Sequence, residues 1–287
     1  MSENYILYNP LAGCGNAKEE AGFLMAGFLG EYDADYEAVD ITKVNDFKKL
    51  LGGMTEKDKV IICGGDGTLN HFINATKNIK ISCKILYYPC GTGNDFLHDI
   101  EKTEYDCPVE ITKYIKDLPT AKVKGVEYKF LNNVSFGIDG YCCEVGDTLK
   151  AKGKKNINYT NIAIKGLLFN YKPTNATVIV DGKEYNFKKV WLAPTMKGKY
   201  LGGGMMAAPS QDRLDEGRNV SIMIFHNAGK LKTLCYFPSI FKGTHVKKDK
   251  NVMILTGKNI KVIFDKPRAV QIDGETIKNV SEYEVKV

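Results

Sequence analysis

No apolar run in these 287 residues approaches the ~18 needed to cross a bilayer as a helix. The longest, such as Val220 to Phe225, are strand-sized. The eight cysteines contain no CxxC pair, and His71, His98, His226 and His245 show no metal-ligand spacing. Neither a disulfide frame nor a zinc site is expected; most thiols fall inside apolar runs and read as buried groups of a reducing compartment. GxxxxGK(S/T), GxGxxG and GxSxG are all missing, which argues against P-loop enzymes, dinucleotide-fingerprint enzymes and serine hydrolases. An RNP-like aromatic motif, a basic helix and a zinc finger are missing too, so no nucleic-acid partner is expected. The opening stretch, MSENYILYNP, carries no basic segment ahead of an apolar one. No signal peptide is expected, and the expected location is the cytoplasm.

What is present is ordinary in amount and uneven in placement. Hydrophobic residues make up 44% and charged residues 26%, enough apolar mass for a full core. At ~100–200 residues per domain the length suits one large domain or two ordinary ones. The net charge of +6 divides sharply: residues 1–125 hold 14 Lys/Arg against 19 Asp/Glu (−5), and the remainder holds 26 against 15 (+11). An acidic half joined to a basic half suggests two modules with different partners, although charge alone favours a solvated lysine-rich surface.

Periodicity divides the chain at the same place. The first half alternates short apolar runs (Tyr5 to Tyr8, Tyr36 to Val39, Lys59 to Cys63, Lys84 to Tyr88) with helical spacing (Ala17 to Leu29, Phe47 to Leu51, Leu69 to Thr76). That alternation implies βαβ units and a parallel sheet. The second half is a series of short, β-branched, turn-bounded runs, with helical stretches near Tyr159–Phe169 and Lys230–Phe241. It reads as an antiparallel sandwich, and Asp181-Gly182 is a strong hairpin signal. The expected architecture is an α/β nucleotide-binding domain over residues 1–122, Rossmann-like and three-layered, followed by an all-β sandwich over 123–287. Leu118-Pro119 and Gly125 mark the boundary, and a return of the C-terminal segment to the first domain is left open.

Three loops carry the chemistry. NPLAGCGN (9–16), GGDGTLN (64–70) and GTGND (91–95) each leave the C-terminal end of a predicted strand. In an open parallel sheet, ligands bind beyond those ends, so the loops should line one site. Glycines let backbone amides approach phosphate, and a helix starting behind the loop adds its positive end. Asp66 places a carboxylate where a Mg²⁺–phosphate would lie, and Thr68 can cap a helix or bond a phosphate oxygen. One Gly-Asp-Gly alone is a plain strand-to-helix turn; three such loops at successive strand ends are not. In the second half, Asp212, Asp215 and Glu216 cluster in a loop that could hold a hard cation or be an acidic surface turn. Asp273 and Glu275 flank a turn in QIDGETI.

Together these stretches resemble the diacylglycerol kinase catalytic-domain family, and its bacterial soluble lipid kinases in particular. The likeness runs in order through NPLAG, GGDGTLN, GTGNDF, FLNNVSFGID, GGGMMAAPSQDRLDEG and QIDGE, nearly the whole chain. It implies ATP against Asn9, Pro10, Gly13, Thr42, Gly64, Gly65, Asp66, Gly67, Thr68, Leu69, Asn70 and Thr92, with Asn94 and Asp95 beside the phosphates. It implies Glu275 as general base, with Asp273 adjacent, and Asp66 in the catalytic set. It implies a structural Mg²⁺ held by the Glu216 side chain and the Arg213 and Arg218 carbonyls. Two positions depart from the family pattern: Glu216 stands where Asp is usual, and Ala12 replaces a serine of the first loop. The function implied is ATP- and Mg²⁺-dependent phosphorylation of a lipid hydroxyl, such as that of a diacylglycerol. The partners implied are the lipid and a transient peripheral contact with anionic membrane at the inner surface, with homodimer formation left open. The alternative is an ATP-dependent kinase of a soluble polyol or nucleotide, NAD kinase-like, although no GSTAY-like stretch is present.

Overall fold

Val60, Ile61 and Ile62 are consecutive and all fully buried, as a strand covered on both faces requires. They belong to β3 (Lys59–Gly64) of a sheet built from β1 (Asn4–Tyr8), β2 (Tyr36–Asp40), β4 (Lys84–Pro89) and β5 (Val109–Glu110). The computed structural model describes residues 4–12, 17–31, 36–90, 93–101, 107–154, 156–247 and 250–287. The strand order is β2-β1-β3-β4-β5. The first four pair in parallel, and β5 pairs antiparallel to β4 at Leu86–Glu110 and Tyr87–Val109. That antiparallel edge was not expected; two residues are too few to show a period. The helices are α1 (Ala17–Glu31), α2 (Phe47–Leu51), α3 (Asp66–Thr76), α4 (Asp95–Asp99) and α5 (Thr112–Ile115). Ile6, Ile61 and Cys63 pack with Ala21 and Leu24 of α1. Their alternates Leu7, Val60 and Ile62 are equally buried, so apolar cover lies on both faces, with α3 on β3 and Phe47 of α2 edge-on to Phe72 at 5.9 Å.

The chain divides into two compact units, Met1–Asp117 and Leu118–Val287. The break precedes the expected 122/123 because β6 (Thr120–Val123) pairs with the last strand, β17 (Glu275–Lys286). Gly125 is the turn of the β6–β7 hairpin, with β7 at Val126–Lys129 and Lys124 and Gly125 at φ +50° and +82°. β17 therefore closes the second unit's own sheet.

That sheet is antiparallel throughout. Its other strands are β8 (Asn133–Gly137), β9 (Thr174–Val180), β10 (Lys183–Val190), β11 (Leu192–Met196), β14 (Val220–Phe225), β15 (Val252–Gly257) and β16 (Asn259–Ile272). β12 (Tyr200–Leu201) and β13 (Met205–Met206) form a separate short ribbon. The order is β15-β14-β11-β8-β16-β17-β6-β7, and β9 with β10 branches from β16. The expected hairpin at Asp181-Gly182 is there, with φ +47° and +85°. Phe136 and Phe264 stack at 4.3 Å inside the core, beside Tyr283. A second apolar cluster around Trp191 lies under α6 (Ile138–Ala151), α7 (Tyr159–Lys165) with its π-helical turn Gly166–Asn170, and α8 (Lys230–Phe241). Helix α6 was not expected. Among the described residues no helix is long and apolar enough to cross a membrane.

Candidate active site

In the first unit, the loops after β1, β3 and β4 are tied to one another by hydrogen bonds. The Asn9 amide nitrogen donates to Thr68 Oγ1 at 3.1 Å, and the Asn9 backbone N–H donates to Cys63 O. Asn9 Oδ1 accepts from Leu11 N at 3.0 Å, folding the first loop into a tight turn. The Asp66 N–H donates to Gly93 O, and Asp66 Oδ2 accepts from Phe96 N, both at 3.4 Å. Cys90 N and Tyr87 OH both donate to Gly64 O. Parallel pairing brings these ends together, because β1, β3 and β4 are adjacent and point the same way.

Each glycine or polar residue has a local reason. A Cβ on Gly64 would lie 2.5 Å from Thr68 side-chain atoms, so the close strand-to-helix turn demands glycine. Gly65 caps α3 in an extended conformation, and Asp66 opens the helix, where a carboxylate is favoured by the positive helix end. Gly67 is exposed and no atom lies within 4 Å of its would-be Cβ. Thr42 follows β2, its hydroxyl donating to Asp40 Oδ1 at 2.6 Å. That bond is the first cause of an Asp40 pKa below the usual carboxylate range.

Not every expected nucleotide contact faces the loop cluster. Leu69 is fully buried, and Thr68 and Asn70 are nearly so. Their side chains support the loop from inside, with Thr68 Oγ1 bound to Asn9 and Asn70 Oδ1 accepting from Asn74. Asn94 precedes α4 as its cap residue, and Asp95 is buried in its first turn. Pro10 is half-buried. Gly13 and Thr92 lie outside the described residues. Cys63 and Cys90 place their sulfurs 2.9 Å apart beneath the loops, and that contact, with burial, pushes the Cys63 thiol far up. Cys107 and Cys235 are exposed, so the expectation of buried thiols fails for these two.

In the second unit, the β16–β17 hairpin turns at Asp273 and Gly274, with φ +45° and +93°. The Asp273 carboxylate accepts from the backbone amides of Leu131 (2.5 Å), Asn132 (2.8 Å) and Asn133 (2.9 Å). Gly274 N donates to Gln271 Oε1, while Gln271 Nε2 donates to Asn133 Oδ1 and Asp139 Oδ2. Both Asp273 oxygens are thus engaged in fixing the turn. Glu275, one residue past the turn, is exposed.

Asp139 escaped sequence reasoning. Its carboxyl is buried next to the hairpin, and desolvation raises its pKa although Ser135 and Gln271 hydrogen bonds oppose the shift. The signal was a lone acid inside the apolar stretch SFGIDG.

Asp273→Ala should be strongly destabilising. It orphans three backbone amides, each at about 1–3 kcal/mol, and puts alanine in a left-handed conformation costing about 1 kcal/mol more. A fall in Tm on the order of 10 °C is expected by calorimetry, with Asp273→Asn intermediate. An alanine variant melting within 2 °C of the parent would refute the anchoring role.

The structural Mg²⁺ implied by the resemblance would be held here by the Glu216 side chain and the backbone carbonyls of Arg213 and Arg218. Glu216 is exposed, and the Arg213 guanidinium is directed at Leu131 O and Asn132 Oδ1. The loop is shaped by Asp215, which accepts from Gly217 N, Asn219 N and Asn219 Nδ2. Those bonds, Asn219 first, hold Asp215 below the usual range. Lys197, only 4% exposed, lies alongside; burial and then the charges of Arg213 and Arg218 depress its pKa. The carboxylates of Asp215 and Asp212 oppose that shift. Among the described residues, no three His, Cys, Asp or Glu side chains group as a metal site.

Residues 3–125 match the diacylglycerol kinase catalytic domain, and residues 132–285 match the YegS C-terminal NAD kinase beta sandwich-like domain. A diacylglycerol kinase of Mycobacterium tuberculosis is 24% identical over 257 residues, covering 85% of this chain and 79% of that one. A diacylglycerol kinase of Bacillus subtilis is 22% identical over 282 residues, covering 96% and 90%. A crystal structure of a Bacillus anthracis protein, 21% identical, superposes with a TM-score of 0.71 over 99% of this chain and 92% of that one. It shares the fold.

Proposed function

The chain belongs to the family that joins a diacylglycerol kinase catalytic domain to a YegS-type C-terminal domain, and from that premise we propose that it is an ATP-dependent lipid kinase. It is a kinase by family; ATP as donor and a lipid hydroxyl as acceptor are our reading. The observation that carries it is the hydrogen-bonded convergence of three glycine-rich loops on the start of α3. Phosphoryl transfer asks the protein for positioning and charge neutralisation more than for covalent chemistry. Loop amides at Gly65 and Gly67 and the positive end of α3 suit a phosphate chain. Asp66, half-buried at the head of that helix, is a hard oxygen donor of the kind Mg²⁺ prefers. Mg²⁺ bound there with the nucleotide would neutralise phosphate charge. Glu275 takes the proton of the acceptor hydroxyl.

The acceptor is assigned to lipids because the relatives are named for diacylglycerol and because the second half is basic at +11. Each well-placed Lys or Arg near an anionic bilayer is worth about 1 kcal/mol. That attraction supports a transient, peripheral, salt-sensitive visit from the cytoplasmic side. The test is labelled ATP with Mg²⁺ and a panel of lipids in mixed micelles, products separated by chromatography. Label in a lipid product is expected. Transfer only to a soluble polyol or nucleotide would replace this reading with the NAD kinase-like one.

A further inference from the structure

The second unit contains a cleft of about 740 Å³, lined among others by Tyr141, Tyr171, Lys172, Lys266, Arg268 and Lys278. Its charge is one-sided. Lys172, Lys266, Arg268 and Lys278 face it against Glu144, which is paired with Lys278 at 3.7 Å. Its inner wall holds donors without acceptors. The Tyr171 hydroxyl is buried, on a residue 5% exposed, beside the Arg268 guanidinium, and its proton has no acceptor. Arg268 lies over the Tyr171 ring at 5.7 Å and donates from Nη2 to Lys172 O, while its Nε is buried and unpartnered. Arg268 makes no ion pair among the described residues.

Buried donors are nearly always satisfied in native proteins, so a hydroxyl proton and a guanidinium N–H without acceptors on one wall point to a ligand that accepts from both. The ligand must be an acceptor and an anion. Guanidinium is suited to tetrahedral oxyanions, because its planar fork matches two oxygens at once. The buried carboxyl of Asp139 acts on Tyr171 electrostatically, and burial raises that carboxyl's pKa, which lessens its repulsion of an anion.

We propose that this cleft binds a phosphate group, with Arg268 and the Tyr171 hydroxyl as direct donors and Lys172, Lys266 and Lys278 as surrounding charge. The phosphate can come from a phospholipid headgroup or be free in solution. The rim suits a headgroup: Phe169, beside cleft-lining Asn170, is 72% exposed, and Leu231 is 74% exposed where Lys230 Nζ bonds Leu168 O. Lys278 is three residues along β17 from Glu275, or about 10 Å in an extended strand. The inference does not depend on Glu275 being the base.

The experiment uses the full chain with Arg268→Met, Tyr171→Phe and, outside the cleft, Lys250→Gln. Flotation with phosphatidylglycerol/phosphatidylcholine vesicles is compared with phosphatidylcholine alone, and inorganic phosphate is titrated by calorimetry. Losing one charge-assisted contact should weaken binding about tenfold or more in Arg268→Met. Tyr171→Phe should shift it the same way by less, and Lys250→Gln should not. Each variant's melting curve must match the parent's. Loss of phosphatidylglycerol binding with no phosphate heat assigns the headgroup; an Arg268-dependent phosphate heat assigns the free ion. The proposal falls if neither probe depends on Arg268, or if Lys250→Gln costs as much, because a diffuse positive field then explains everything.

Discussion

Glu275→Gln is expected to lower kcat by ~10²–10⁴-fold, the usual contribution of a general base, and to leave the KM for ATP unchanged. The substitution keeps size and hydrogen-bonding shape and removes only the proton-accepting charge. It should leave stability intact, because Glu275 is exposed and surface changes without a structural role seldom exceed about 0.5 kcal/mol. A base acts in the transition state, so its loss lowers kcat and kcat/KM together. The hairpin explains why an exposed carboxylate can be held in position. Two residues earlier, Asp273 is clamped by the amides of Leu131, Asn132 and Asn133, and Gly274 is held by Gln271. Steady-state kinetics with both substrates varied is the check. A raised KM for ATP at unchanged kcat would make Glu275 a nucleotide-binding residue and leave the reaction without its base.

How much of this was legible beforehand follows from the range of the interactions. The parallel sheet was readable because strand and helix signals alternate and three strands, β1, β3 and β4, end in glycine-rich loops, and the Asp181-Gly182 hairpin because two left-handed residues identify themselves locally. Helix α6 was not readable. Gly140 and Gly146 weaken any helical propensity, yet both are demanded by neighbours: a Cβ at Gly140 would sit 2.3 Å from Ala269 O, and one at Gly146 would sit 2.7 Å from the Tyr159 ring. Those contacts are tertiary. β16 runs through Lys266-Pro267-Arg268 with an irregular register, and a proline there gives no local sign of a continuous strand. Gly125 served equally well as a linker mark and as a hairpin turn. In the site, the loops were visible as motifs. The burial of Leu69, the anchoring of Asp273, and the importance of Asp139 and Arg268 depend on which distant residues pack beside them.

Asp66→Asn should abolish turnover to the limit of detection or reduce it by at least ~10²-fold, the scale of losing one preorganised electrostatic contact. The protein should still fold. Asparagine retains an oxygen that can accept from Phe96 N, as Asp66 Oδ2 does at 3.4 Å, and the backbone bond from Asp66 N to Gly93 O is untouched. What is lost is one negative charge at the head of α3, a favourable helix-end interaction worth about 0.3–1 kcal/mol. For a chain of this size that shifts Tm by only a few degrees. Large loss of activity with small loss of stability separates a phosphate and metal role from a structural turn. Asp66→Glu adds a further distinction, because it restores charge on a longer arm and should recover part of the activity only if charge is the function. The measurements are a melting curve and a labelled-ATP assay on the three proteins side by side. Turnover in Asp66→Asn within twofold of the parent would detach this loop from nucleotide chemistry and leave Gly64–Asn70 as a strand-to-helix turn.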